Sequence, residues 1–188
     1  MSKSPLLVTA FEPFGPIRGN VPGLKGNRSQ DLLSMLQRKH QGEATWDFRV
    51  LPVDQDAGSQ LQAILAGDRQ PGGILLMGED LLANVRLEVL ALDPEHQLGP
   101  IRLPGAKRLE SPFAHDVESE MAALGVSVKS GIGTYFCNRL YWIALQWATR
   151  SARPVVFLHV GPFASLEEQF AKIEWVANQL QETIKSAL

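Results

Sequence analysis

The chain has 188 residues, 45% hydrophobic and 20% charged, with 18 basic and 20 acidic side chains and a formal net charge of -2. That composition describes an ordinary globular protein, long enough to bury a core without staples, and residues 1–188 are expected to form one domain. The mixed charge argues against a nucleic-acid partner, the single cysteine excludes an intrachain disulfide, and the apolar runs are too short to span a membrane, so a cytoplasmic protein is expected.

In chain order, Leu6 to Phe11 reads as a short buried strand ending in the turn Phe11-Glu12-Pro13-Phe14-Gly15-Pro16. A flexible stretch from Gly19 to Gly26 precedes a helix capped by Asn27 or Ser29, running to Lys39 with Leu32, Leu33 and Leu36 on one face. Phe48 to Val53 is a strand candidate in which Pro52 points to a sheet edge or a strand end. Ala57 to Ala66 is helical by spacing, and after Pro71-Gly72-Gly73 the run Ile74 to Gly78 is a second wholly apolar strand.

Within Asn84 to Pro104, Val85, Leu87, Val89 and Ala91 alternate with Arg86, Glu88, Leu90 and Leu92, a period near two, and Ile101-Arg102-Leu103 after Gly99-Pro100 is a candidate partner strand in an irregular hairpin. Gly105 to Pro112 reads as polar loop, Ala114 to Leu124 as one helix closed by Gly125, and Val126 to Val128 as a short strand. A helix from Asn138 to Thr149 follows, apolar on more than one side, then a buried strand from Pro154 to Val160. Ser165 and Glu168 form a capping-box pattern at the start of a long terminal helix. Strands alternating with helices predict an α/β fold, a three-layer α/β/α sandwich around a largely parallel twisted sheet.

Three residue types suggest chemistry. Cys137 stands where the glycine-bearing loop Gly131-Ile132-Gly133 gives way to a helix, where outward-pointing amides and the helix dipole favour a thiolate. The alternative is an inert cysteine packed as a small hydrophobe. His159 ends an otherwise apolar strand, and a neutral imidazole there is either a proton acceptor for the thiol or a strand-end histidine satisfied by a backbone carbonyl. Glu88 is the best carboxylate to orient that imidazole, although by pattern alone it falls on the wet face of an amphipathic strand. Phe11 and Phe14 lie on a loop after the first strand, where ligands bind in open α/β sheets; the competing reading is that they cap the core. No metal-ligand cluster and no phosphate-binding glycine loop is present in the sequence, so no cofactor is expected.

Several of these segments resemble one family. Val8-Thr9-Ala10-Phe11-Glu12-Pro13-Phe14-Gly15 is similar to the V-T-G-F-E-P-F-G opening of the pyroglutamyl peptidases, also called pyrrolidone carboxyl peptidases. Gly133-Thr134-Tyr135-Phe136-Cys137-Asn138 resembles their G-T-Y-V-C-N segment, Phe157-Leu158-His159-Val160 their F-I-H-V-P segment, and Leu87 to Leu92 their E-R-V-A-x-N segment. The resemblance implies Cys137 as nucleophile, His159 as base and Glu88 as orienting acid. It also implies Phe11 and Phe14 as aromatics holding a pyrrolidone ring, and Arg102 near the oxyanion. The implied reaction removes an N-terminal pyroglutamyl residue from a small peptide through a thioester, without metal or cofactor, in a protein that forms homodimers or homotetramers.

The chain departs from the family pattern in one segment above all. Met77-Gly78-Glu79-Asp80-Leu81-Leu82 replaces V-G-Q-A-G-G, putting Glu79 at a substrate-binding position, and Gly161 separates Val160 from Pro162. These changes keep two other readings in view, a non-hydrolytic binder of a ligand or partner and a thiol amidase with another acyl preference.

Overall fold

Strands whose residues are apolar on both faces need cover on both faces. The computed structural model, which describes residues 4–13, 26–98, 101–102, 107–130 and 135–187, meets that need with a six-stranded sheet between two helical layers. The elements in order are β1 (Leu6–Phe11), α1 (Arg28–Lys39), β2 (Trp46–Leu51), α2 (Asp56–Ala66), β3 (Gly73–Glu79), β4 (Val85–Glu88), β5 (Leu90–Leu92), β6 (Gln97–Leu98), β7 (Ile101–Arg102), β8 (Arg108–Glu110), α3 (Pro112–Asp116), α4 (Glu118–Ala123), β9 (Ser127–Lys129), α5 (Phe136–Ser151), β10 (Val155–Val160) and α6 (Leu166–Ser186). The main sheet runs β2-β1-β3-β10-β4-β9. Its first four strands are parallel, β4 is antiparallel to β10, and β9 is parallel to β4.

Side-chain alternation sorts the core into two layers. Leu6, Val8, Leu75, Met77, Val85, Leu87, Val156 and Leu158 face α1, α3, α4 and α6. Leu7, Phe11, Ile74, Leu76, Val155 and Phe157 face α2 and α5. The α/β sandwich expected from the sequence is therefore the fold, and β2 is the edge strand that Pro52 signalled. Its pairing runs from Leu6↔Trp46 to Phe11↔Leu51, two residues earlier than the sequence pattern placed it. Asn27, not Ser29, caps α1: its Oδ1 accepts from Ser29 N at 3.1 Å, while Ser29 Oγ accepts from Phe11 N at 3.2 Å.

Four expectations are corrected. The segment from Ala114 to Leu124 is not one helix but α3 and α4, broken at Val117, whose φ of -100° and ψ of 1° leave the helical region. The alternating segment is two strands in different sheets. At Val89, N–H donates to Lys129 O at 3.1 Å and C=O accepts from Ser111 N at 2.9 Å, so the chain passes from the main sheet to a β5–β8 ribbon. That ribbon occupies part of the expected polar loop. Ile101 and Arg102 pair with Gln97 and Leu98 rather than with residues 85–92.

Gly161 has a structural reason. A Cβ there would lie 1.6 Å from the carbonyl oxygen of Ala83. The backbone of the β3–β4 turn crosses directly over it, tied by Gly161 N donating to Asn84 O at 3.1 Å and by Gln169 Nε2 donating to Asn84 O and Gly161 O. Backbone cannot yield as a side-chain end can, so Gly161→Ala should cost about 3 kcal/mol or more in a denaturant titration, at or above the upper end of ordinary overpacking. A midpoint unchanged from wild type would contradict this close crossing.

Candidate active site

The register of β10 brings the site together. His159 pairs with Gly78 of β3 on one side and with Arg86 of β4 on the other, and Phe157 pairs with Glu88. Residues directly opposite one another in a sheet share a face, and so do residues two apart in a strand. His159, Arg86, Glu88 and Gly78 therefore all present to the α5 layer at the carboxyl end of the parallel strands.

Glu88 is not on a wet face. It has no exposed surface, because β4 is an interior strand between β10 and β9 with helices over both faces. Its Oε1 lies 2.8 Å from His159 Nδ1 and 2.6 Å from Arg86 Nε. Among the described residues its Oε2 has no hydrogen-bond partner. Arg86 is also buried, though not completely, and extends its Nη2 to Asp80 Oδ2 at 2.7 Å and to within 3.1 Å of His159 Nδ1. Burial disfavours the Arg86 charge, but its bonds to Glu88 and then Asp80 outweigh that and raise its proton affinity above the usual value. Partial burial likewise works against the Asp80 carboxylate. The Leu82 N–H and Arg86 reverse the balance and hold it below the usual range.

Cys137 is in the first turn of α5, which begins two residues earlier than the sequence pattern suggested. Its sulfur lies against the sheet: an added Cβ on Gly78 would stand 2.9 Å from Sγ and 3.0 Å from Phe157 Cζ. Only a residue without a side chain lets the thiol approach this strand, beside the residue paired with His159. The helix start is clamped from both sides. Asn138 Oδ1 accepts from Leu92 N and its Nδ2 donates to Leu92 O, each at 2.8 Å, and the Tyr141 hydroxyl donates to Glu88 O at 2.9 Å. The ring of His159 packs on Phe157 in a tilted arrangement with centroids 4.9 Å apart, so its orientation is set by ring packing as well as by hydrogen bonding.

The expectation of an easily ionised thiol is overturned. Cys137 is partly buried, and the desolvation of its sulfur against the sheet pushes the thiol up to about 12; its own backbone N–H lowers it, but Glu88 and Asp80 add further opposition. Desolvation outweighs the helix terminus because the sulfur is pressed against the sheet rather than left at the mouth of the helix.

The remaining sequence candidates are distributed around this centre. Phe11 is buried in the α2–α5 core layer. Glu79, at the end of β3, is also buried, with Oε2 accepting from Arg28 N at 2.6 Å, so its charge meets the N-terminus of α1. Phe14 and the side chain of Arg102 lie outside the described residues. The member not singled out from sequence is Arg86, and the same period-two rule applied backward from Glu88 would have found it. Asp80 was visible only as an extra carboxylate in the altered turn. Among the described residues no group of three or more His, Cys, Asp or Glu is placed to hold a metal ion, and no helix is long and apolar enough to cross a membrane.

No protein-family model matches this chain, and no curated protein matches it. Solved structures do. A pyrrolidone carboxyl peptidase from Thermococcus litoralis superposes with a TM-score of 0.73 at 18% identity, over 98% of this chain and 96% of that one. A mutant pyrrolidone carboxyl peptidase from Pyrococcus furiosus gives 0.72 at 19%, over 95% and 99%. Bacillus amyloliquefaciens pyroglutamyl peptidase I gives 0.67 at 20%, over 93% and 95%. The chain has the pyrrolidone carboxyl peptidase fold along nearly its whole length.

Three outcomes follow from the geometry of the thiol. Thiolate absorbance, referenced to Cys137→Ser, should be absent at pH 7 and grow only above pH 9; a thiolate fully formed at pH 7 would contradict the desolvation of the sulfur against the sheet. Because the folded protein binds this proton more tightly than the unfolded chain, the contribution to stability is complete below the ordinary thiol value near 9 and is lost as pH climbs toward 12. Gly78→Ala should leave the fold intact, since the atoms displaced are side-chain ends, and slow any cysteine-dependent turnover by about 10²-fold. Unchanged turnover would show that the sulfur does not work from this position.

Proposed function

We propose that the chain is a cysteine exopeptidase that removes an N-terminal pyroglutamyl residue from peptides. The observation that carries this reading is the buried Glu88–His159 pair, at 2.8 Å, on the strand row over which the Cys137 sulfur rests. The shared fold with peptidases of this type supports it.

In the reaction, a carbonyl carbon bound above Gly78 is attacked by Cys137 Sγ as His159 accepts the thiol proton. With the thiol neutral at rest, the nucleophile forms only as that proton moves. Glu88 accepts from Nδ1 and stabilises the imidazolium while it lasts. The proton then passes to the departing amine, leaving a thioester. Water, deprotonated by the same imidazole, attacks the thioester and releases the free acid and the thiol. At the start of α5 the Asn138 and Arg139 N–H groups donate to Tyr135 O, and the amides of Phe136 and Cys137 before them are suited to meet the developing oxyanion.

The altered turn after β3 favours a second reading, a thiol amidase with the same chemistry and a different acyl preference. Glu79 is engaged at α1, and Leu81 and Leu82 are exposed at the site rim, Leu82 by 93%. A fluorogenic pyroglutamyl amide assayed beside a panel of other neutral acyl amides separates the two. The first reading expects release from the pyroglutamyl compound that falls by about 10³-fold or more in Cys137→Ser. Cysteine-dependent release from another acyl amide alone would establish the second. Binding without release from any of them would overturn both.

A further inference from the structure

The Nδ1 atom of His159 has two claimants that require opposite things of it. Glu88 Oε1, at 2.8 Å, is an acceptor and needs a proton on Nδ1. Arg86 Nη2, at 3.1 Å, is a donor and needs Nδ1 bare. With the proton on Nδ1, the Nε2 lone pair is available to the thiol. With the proton on Nε2, the ring is no base for Cys137. The site therefore functions only if Arg86 loses this competition.

The arginine is pinned at both ends. Its Nε donates to Glu88 Oε1 at 2.6 Å and its Nη2 to Asp80 Oδ2 at 2.7 Å, both charge-assisted and both shorter than the approach to the ring. With Nε on Glu88 and Nη2 drawn to Asp80, the planar guanidinium stands 3.1 Å from Nδ1 and can come no closer without lengthening one of the two shorter contacts. Asp80 is itself fixed by its turn: Oδ1 accepts from Leu82 N at 2.9 Å, and its backbone carbonyl accepts from Ala83 N at 3.1 Å. Cys137 lies in the same field: its thiol feels Glu88, Asp80 and Arg86.

We propose that Asp80 and Arg86 are a positioning pair that decides which nitrogen of His159 carries the proton, with Asp80 restraining an arginine that would otherwise turn the imidazole away from its role as base. The turn after β3 then acts on the chemistry from outside it. Asp80 touches neither ring nor thiol in a hydrogen bond, but it sets the tautomer through Arg86. The proposal rests on His159 serving as base for Cys137, yet its readout needs no substrate, so the tautomer result and the turnover result fail independently.

The test is the pair of imidazole ¹⁵N shifts of His159, read at a pH where the ring carries one proton. Wild type should show the Nδ1–H form. Asp80→Ala should convert at least half of the population to Nε2–H. Asp80→Ser, whose hydroxyl can keep the turn bond to Leu82 but is too short to hold Nη2, should do the same and stands in if the alanine variant does not fold. Asp80→Asn keeps an acceptor oxygen and should stay Nδ1–H. Adding Arg86→Met to either short variant removes the competing donor and should restore Nδ1–H. An Nε2–H ring in wild type, an unchanged ring in the short variants, or a double variant still protonated on Nε2 would each overturn the assignment.

Discussion

A carboxylate with no exposed surface has to be met by cations and donors, because the desolvation cost of a buried charge amounts to several kcal/mol even after relaxation. Glu88 is that carboxylate, and much of the molecule's interior can be understood as its accommodation. Arg86 and His159 share its Oε1, and Asp80 answers the second arm of the arginine. Tyr141 ties α5 to the backbone of the same residue. Removing any one of these leaves a polar group stranded, so the network rigidifies as a unit and fixes the approach of α5 to β4 and β10.

The nucleophile's place follows from that docking. α5 begins with Tyr135 as its cap, and Asn138 stitches the first turn to the end of β5 through both of its amide atoms. The sulfur is thereby pressed into a gap made by Gly78. Such an arrangement trades thiolate stability for precision. Desolvation keeps the proton on sulfur at rest, and the orientation of the neighbouring imidazole then governs when it leaves.

Two departures from the peptidase pattern are linked in space. The turn in which the sequence resemblance marks missing glycines ends in Ala83, whose carbonyl oxygen crosses Gly161, and Gly161 is itself the residue that separates Val160 from Pro162. A larger residue at 161 would lift this turn and with it Asp80. Gly161 thus makes room for the backbone path of the β3–β4 turn, and that path carries the Asp80 side chain that meets Arg86.

The sequence by itself determined the layered α/β fold, because apolar alternation and helix caps are local signals. Leu6 to Phe11, the Ser165 cap and the Asn27 cap all stand where pattern put them or named them as candidates. It also nominated Cys137, His159 and Glu88, by a strand end, a helix start and family-like segments. Only the tertiary structure decided that Glu88 is buried, since period two assigns a residue to a face without saying what covers it, and β10 and β9 on either side of β4 come from distant parts of the chain. The same holds for Arg86, whose partners are set by register with His159, and for the break at Val117 between two helical turns that looked continuous. It holds most clearly for the thiol. A helix N-terminus is a local feature that lowers a thiol's proton affinity, whereas the desolvation that raises it at Cys137 comes from a strand almost sixty residues away in the chain, and in this packing the distant contribution outweighs the local one.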